Sequence, residues 1–234
     1  MESKDPREQE IIQSWYSNAA PWSRAIRTAS IASRKLVTDA AIVDAVSSMS
    51  PSRVLDLGCG EGWLARALSD RGIRTTGIDA VPELIAQAVA QIAPGDSRLR
   101  PEFLVQEYSS IASRQWLGGP FDAAVCNFSL LGADSVETLI AALPSYLEDP
   151  GRLIIQTLHP VAACGEQPYE DGWRAGSWLG FSADFRDPAP WYFRTVESWR
   201  AMLKRCGFAI LECREPKAPG AVTPASIIWI GSLR

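Results

Sequence analysis

Residues 54–62 read Val54-Leu55-Asp56-Leu57-Gly58-Cys59-Gly60-Glu61-Gly62, and Trp63-Leu64-Ala65-Arg66-Ala67-Leu68 follow directly. The apolar start predicts a buried strand, the three alternate glycines a turn, and the run after them a helix. Glycine admits positive φ and lets a ligand approach the peptide plane, while the first turn of the helix aims its free N–H groups at whatever lies there. This is a nucleotide cradle built from backbone alone. A dinucleotide fingerprint, G-x-G-x-x-G, would need a glycine where Trp63 stands; the chain has G-x-G-x-G, with Asp56 two residues before it.

Working outward, Ile73–Ile78 reads as a second strand ending in Asp79, and Pro82 opens a helical stretch from Glu83 to Ile92. An ionised carboxylate at a strand tip offers only acceptors, which suits a pair of ribose hydroxyls. Phe103–Val105 gives a third strand running into Glu107 and Tyr108, and Phe121–Cys126 a fourth running into Asn127 and Phe128. Arg152–Thr157 gives a fifth, after a turn at Asp149-Pro150-Gly151. Beyond a helix from Val196 to Arg205 come two late strands, Ala209–Cys213 and Ser226–Gly231, with only a loop between them, so the last must run antiparallel. The expected fold is α/β: a Rossmann-like, seven-stranded, mostly parallel sheet with an antiparallel last strand and helices on both faces.

The Leu55–Gly62 run resembles motif I of the class I S-adenosylmethionine (SAM)-dependent methyltransferases, and the reversed last strand is the architecture of that family. The resemblance spans roughly Pro51 to the C-terminus, apart from one insertion. It implies SAM as cofactor, with Gly58, Gly60 and Gly62 along its methionyl part, Asp56 near its ammonium and Asp79 on its ribose. Ala80 and Val81 would flank the adenine, Glu107 and Tyr108 would lie at its edge, and Asn127 with Phe128 would close the pocket. Glu107 departs from the commoner Asp. Arg34 would reach the methionyl carboxylate, as an arginine does in some quinone-ring methyltransferases. An NAD(P)-dependent oxidoreductase using a similar turn and a non-catalytic SAM-binding protein are the alternatives.

Composition agrees with one domain over 1–234: 234 residues that are 47% apolar fill a single large α/β core. No 18-residue apolar run occurs and the first residues are charged, so a cytoplasmic protein with no membrane association is expected. Met1–Glu10 reads as a frayed polar start. Five cysteines without a C-x-x-C pair, and a single histidine, argue for buried thiols and against a metal site. A net charge of −4 argues against a nucleic-acid partner. The stretch Arg24, Arg27, Arg34 and Lys35 reads as a solvated helix face. Asn127-Phe128-Ser129-Leu130 also lacks the two prolines that DNA amino-methylating enzymes carry there. A small-molecule acceptor is expected, for a monomer or homodimer.

Two regions lie outside the scaffold. Residues 1–50 form a helical cap, whose Tyr16 and Trp22 are candidate substrate contacts. Between the fifth strand and the Val196 helix, residues 159–194 make an insertion of about 36 residues where a usual link takes about 2–6. Its many aromatics suit a lid over a flat acceptor, with Trp178 and Trp191 as the candidate contacts. Together these features point to methyl transfer onto O or N of a small aromatic or heteroaromatic molecule. His159, the sole histidine, stands just past the fifth strand at the cradle's edge, where a neutral imidazole can take a hydroxyl proton. The alternative role is a hydrogen bond to the lid or to the substrate.

Overall fold

The computed structural model describes residues 5–92, 99–115 and 118–234. Its main sheet has seven strands: β1 (Arg53–Leu57), β2 (Arg74–Asp79), β3 (Glu102–Val105), β4 (Phe121–Asn127), β5 (Leu147–Thr157), β8 (Phe208–Arg214) and β9 (Ile227–Leu233). They lie in the order β3-β2-β1-β4-β5-β9-β8. The first five pair in parallel, and β9 runs antiparallel to both β5 and β8. The chain therefore steps outward from β1 to β3, crosses back to β4, and steps outward again. The crevice at that reversal, beyond the carboxyl ends of β1 and β4, is where open α/β sheets bind ligands.

The strands in the middle read as nearly continuous apolar runs because helices cover both faces. Leu55, Leu57, Cys126 and Ile155 point into one buried cluster with α6 (Asp134–Ala142) and α8 (Val196–Arg205). Val54, Ala123, Val125 and Ile154 point into the other with α2 (Asp39–Ser47) and α3 (Trp63–Ser69). Each fully buried leucine or isoleucine here contributes about 1.5–3 kcal/mol relative to exposure. Two more helices, α4 (Pro82–Ala90) and α5 (Tyr108–Ala112), follow β2 and β3. The expected helix from Val196 to Arg205 has those bounds: the Thr195 side chain accepts from Ser198 N, Glu197 and Arg205 complement its two ends, and Gly207 at φ 91° ends it.

Three readings are corrected. The polar start is not frayed from residue 5 on, because α1 spans Pro6–Arg27; Asp5 caps it by accepting from Arg7 N, with Pro6 in the first turn. Residues 1–4 lie outside the described residues. The expected turn at Asp149–Gly151 lies inside β5, opposite a register shift in β4. The basic stretch is a solvated face at Arg24, Arg27 and Lys35, all exposed, but not at Arg34, which sits in a π-helical turn (Arg34–Thr38) with its side chain only 11% exposed. Of the cysteines, all free, Cys59, Cys126 and Cys206 are buried and Cys164 and Cys213 partly exposed.

The insertion has structure of its own. It holds a short helix α7 (Pro160–Cys164) and a two-stranded hairpin pairing β6 (Gly172–Arg174) with β7 (Trp191–Phe193). No helix among the described residues is long and apolar enough to cross a membrane.

Candidate active site

The glycine turn is pinned to β2. Gly58 N and Cys59 N both donate to Ile78 O at 2.8 and 2.9 Å, and Gly60 N donates to Asp79 Oδ2 at 2.9 Å. The other Asp79 oxygen accepts from Val81 N at 2.9 Å, so one carboxylate joins the glycine turn to the β2–α4 turn. Each oxygen keeps a lone pair for a further donor.

The three glycines serve different ends. A Cβ on Gly58 would collide with Ser129 and with the Tyr108 hydroxyl 2.7 Å away, and one on Gly62 would stand 2.5 Å from the Phe103 ring. Both let neighbouring elements close in. Above Gly60, at φ 57°, a Cβ would meet only Trp22 Nε1 at 3.5 Å. Of the three glycines only Gly60 has room for a Cβ, in ordinary contact with the Trp22 indole, so α1 lies over the glycine turn at this point.

At the carboxyl-end half of β1 and at the end of β4, two buried polar groups are short of partners. Asp56 is buried, its Oδ2 has no hydrogen-bond partner, and burial, together with the nearby Asp79 charge, pushes its pKa up to about 8. Burial raises Asp79 as well, against the backbone N–H groups of Val81, Gly60 and Ala80 that favour its anion. Asn127 Oδ1 is likewise buried without a donor, and Phe128 beside it takes φ 54°, a left-handed backbone that is strained for an aromatic residue. Unpartnered buried acceptors lining a backbone cradle fit a ligand that carries donors and positive charge.

The remaining expected residues fall as follows. Tyr16 OH donates to Ala80 O at 3.3 Å, and Val81 is buried in a cluster with Ala19, Leu84, Trp15 and Trp22, so α1 lies over the β2–α4 turn. Tyr108 OH donates to Ser129 O at 3.3 Å, joining the start of α5 to the exit of β4. Glu107 is exposed and accepts from Ser109 Oγ. Arg34 binds Asp39 through two hydrogen bonds of 2.9 and 3.2 Å and lies over the Trp63 ring at 4.6 Å and the Trp22 ring at 5.8 Å. It thus flanks the glycine turn, and its charge acts on buried Glu61.

Trp178 belongs to an aromatic chain: its ring is 5.8 Å from Trp15, which is 5.3 Å from Trp22, both edge to face. Trp191 stands in the hairpin opposite Arg174, with its ring 5.9 Å from that of Phe193. His159 is buried at the tip of β5, with Nε2 3.1 Å from Glu215 Oε1 and Nδ1 unpartnered.

Sequence reasoning missed the residues that dock the insertion. Asn18 of α1 donates to Arg186 O and accepts from Arg186 N, Ser14 donates to Asp187 O, and Arg194 donates to Gly132 O and Ala133 O in the β4–α6 link. Glu8 of α1 accepts from Ala133 N and from the Ser135 hydroxyl at the start of α6. None of these partnerships has a local signal, since each joins residues more than 60 positions apart. Ser129, against Gly58, was also missed. No group of three His, Cys, Asp or Glu placed to hold a metal occurs among the described residues.

A family model described as a methyltransferase domain matches residues 32–213. The chain belongs to this family. It is a class I SAM-dependent methyltransferase by family and fold, and the dinucleotide alternative is set aside. Ubiquinone biosynthesis O-methyltransferases are similar in sequence: that of Xylella fastidiosa (strain M23) is 34% identical over 116 residues, covering 50% of this chain and 46% of that protein. That of Xanthomonas axonopodis pv. citri (strain 306) is 34% identical over 112 residues, covering 48% of this chain and 45% of that protein. The chain thus spans about half the length of the curated relatives it matches. Among solved structures, the Burkholderia thailandensis 1,6-didemethyltoxoflavin-N1-methyltransferase, with its substrate and S-adenosylhomocysteine bound, superposes with TM-score 0.68 at 18% identity, over 100% of this chain and 91% of that one. A SAM-dependent methyltransferase from Mesorhizobium loti gives TM-score 0.59 at 22% identity, over 81% and 97%. These likenesses show the fold.

Proposed function

We propose that this methyltransferase transfers a methyl group from SAM to oxygen or nitrogen of a small aromatic or heteroaromatic acceptor bound between the glycine turn, α1 and the lid. SAM supplies a methyl group on a positively charged sulfur, already activated, so the protein's task is to align the acceptor, exclude water and, for a hydroxyl, remove a proton. Asp56 and Asn127 would meet the donors and positive charge of SAM, Asp79 its ribose, Gly58 and Gly60 its methionyl part, and Arg34 its carboxylate on leaving Asp39. His159 would take the acceptor's proton.

One observation carries the acceptor class: the edge-to-face run Trp178–Trp15–Trp22 that ends over Gly60. A run of indoles over the glycine turn favours a flat ring over a polar chain, because aromatic rings gain edge-to-face and stacking contacts there while a polar chain loses water. Its relatives include O-methyltransferases named for ubiquinone biosynthesis, and one protein of the same fold is named as the N1-methyltransferase of 1,6-didemethyltoxoflavin.

The test is transfer of label from methyl-labelled SAM to a panel of phenols, catechols and N-heteroaromatics, run beside aliphatic amines and alcohols. Labelled product confined to the aliphatic set would overturn the acceptor class. Binding of SAM by calorimetry with no transfer to any acceptor would support the remaining alternative, a SAM-binding protein without catalysis.

A further inference from the structure

We infer that Glu215 fixes the tautomer of His159, so that Nδ1 is the atom that takes the acceptor's proton; this rests on the proposed reading of His159 as the base. Glu215 follows β8, and since β8 runs in the same direction as β5 with β9 between them, the carboxyl ends of β5 and β8 share one edge of the sheet. That topology brings the side chains of residues 159 and 215 together at 3.1 Å, although 56 positions separate them. The imidazole is 7% exposed and the Glu215 side chain 52%.

The pair is asymmetric in a way that chemistry can use. An ionised carboxylate only accepts, so the nitrogen facing it must carry the hydrogen: Nε2 is N–H, and the lone pair of the neutral ring is on Nδ1. Nδ1 is buried and meets no donor. A buried basic nitrogen with its lone pair unused is an acceptor waiting for a hydroxyl, and the opposite tautomer would bury a donor without a partner and set two lone pairs against each other at Nε2. Arg214, next to Glu215 in the chain, is bound to Glu212.

In the reaction, the acceptor oxygen would bond the methyl carbon as the carbon–sulfur bond of SAM breaks, its electron pair staying on the now neutral sulfur, and the acceptor's proton would go to Nδ1, giving an imidazolium whose charge the Glu215 carboxylate offsets. The Nε2 proton can then leave through Glu215, whose half-exposed side chain reaches water, and the ring returns to neutral. Glu215 is thus a positioning residue, acting on the acceptor only through His159.

The single histidine makes the test direct, since every imidazole nitrogen signal of the uniformly 15N-labelled chain belongs to residue 159. With no acceptor present and at a pH where the ring is neutral, wild type should show hydrogen on Nε2 and a bare Nδ1. Glu215→Gln, whose amide can donate as well as accept, should lose that preference and give a mixture or the opposite tautomer. Glu215→Asp, with its shortened carboxylate, should keep it at least in part. Backbone amide spectra serve as the control that the fold is kept. Hydrogen on Nδ1 in wild type, or an unchanged Nε2–H tautomer in Glu215→Gln, overturns the inference. Failure of the methyltransferase reading is seen separately, as absence of SAM binding by calorimetry, which does not alter the nitrogen spectrum.

Discussion

The two halves of the site are built by opposite means. Around β1 and β2 the cradle is made of backbone held by near neighbours in the fold: Gly58, Cys59 and Gly60 donate to Ile78 O and the Asp79 carboxylate. The proposed acceptor side is made of side chains from segments far apart in sequence: α1 meets the lid through Asn18–Arg186 and Trp15–Trp178, and His159 past β5 meets Glu215 past β8. A donor shared by a whole family can be held by backbone geometry, which tolerates changes in side chain; an acceptor particular to one protein needs side chains. It follows that substitutions on the first side should act on SAM binding, and those on the second on rate with SAM affinity kept.

The sharpest way to break that division is His159→Ala. With the base removed, transfer to a hydroxyl acceptor should fall by about 10²–10⁴, the usual worth of general acid–base help, while calorimetric SAM affinity stays at the wild-type value. Equal rates in the variant and wild type would point to an acceptor that needs no proton removed, such as a neutral amine. A parallel loss of SAM binding would show that the two halves are not separable.

On the cradle side the glycines should divide among themselves. Gly60→Val puts a branched side chain at φ 57°, a strain of about 1–3 kcal/mol, into the space beneath Trp22. It should weaken SAM binding at least about a hundredfold, more than 2.7 kcal/mol, while still folding. Gly62→Ala should do the reverse, because its Cβ would meet the Phe103 ring rather than open space; overpacking of this kind costs about 1–3 kcal/mol of stability. Urea unfolding and calorimetry on both variants check this. Equal losses of binding at the two positions would mean that the space over Gly60 is not the donor's.

Asp56 gives a pH signature. Its folded pKa of about 8 lies above its unfolded value near 3.8, so between those limits the folded state holds a proton that the unfolded chain has released. Stability should therefore fall as pH rises from about 4 to 8, at up to about 1.4 kcal/mol per pH unit, and level off above. Asp56→Asn should remove that slope in urea titrations run across the range. Cationic SAM favours the ionised carboxylate, so its affinity should rise with pH up to about 8, with proton release that calorimetry in buffers of different ionisation heat can count. A flat stability profile in wild type would mean that Asp56 stays ionised and finds a partner when the protein is in solution.

The same contrast explains what was legible in the sequence. The segments of β1, β2, β4 and β9, the reversed last strand and the bounds of α8 come from local patterns: apolar runs, glycine spacing and the lack of a helix between the last two strands. The different duties of Gly58, Gly60 and Gly62 were hidden, since they depend on Ser129, Trp22 and Phe103 arriving from other elements. The start of α1 was misread because its polar first turns look unstructured until Glu8 is seen bonding the start of α6. Among the lid aromatics, composition marked a cluster but could not separate Trp178, in the chain that reaches Gly60, from Trp191 in the hairpin.

The smallest expected effect tests how the lid is held. Asn18 is fully buried, and its side-chain amide donates to Arg186 O at 2.7 Å and accepts from Arg186 N at 3.0 Å, a two-bond clasp between α1 and the lid. Asn18→Ala leaves Arg186 N without a partner while the lid is down, Arg186 O keeping the Trp178 indole N–H at 2.8 Å; the penalty, about 1–3 kcal/mol, is one that water relieves once the lid lifts. The substitution therefore favours opening by lowering the difference between the two states, and leaves the sheet's own stability nearly untouched. Amide exchange around Trp178–Asp187 should quicken by about tenfold for each 1.4 kcal/mol lost, with β1 and β4 amides unchanged. Rate should fall modestly through an acceptor that binds less well, seen in KM before kcat. If exchange quickens equally across β1 and β4, Asn18 holds up the whole fold rather than the lid, and the separation of a backbone-built donor side from a side-chain-built acceptor side fails at that point.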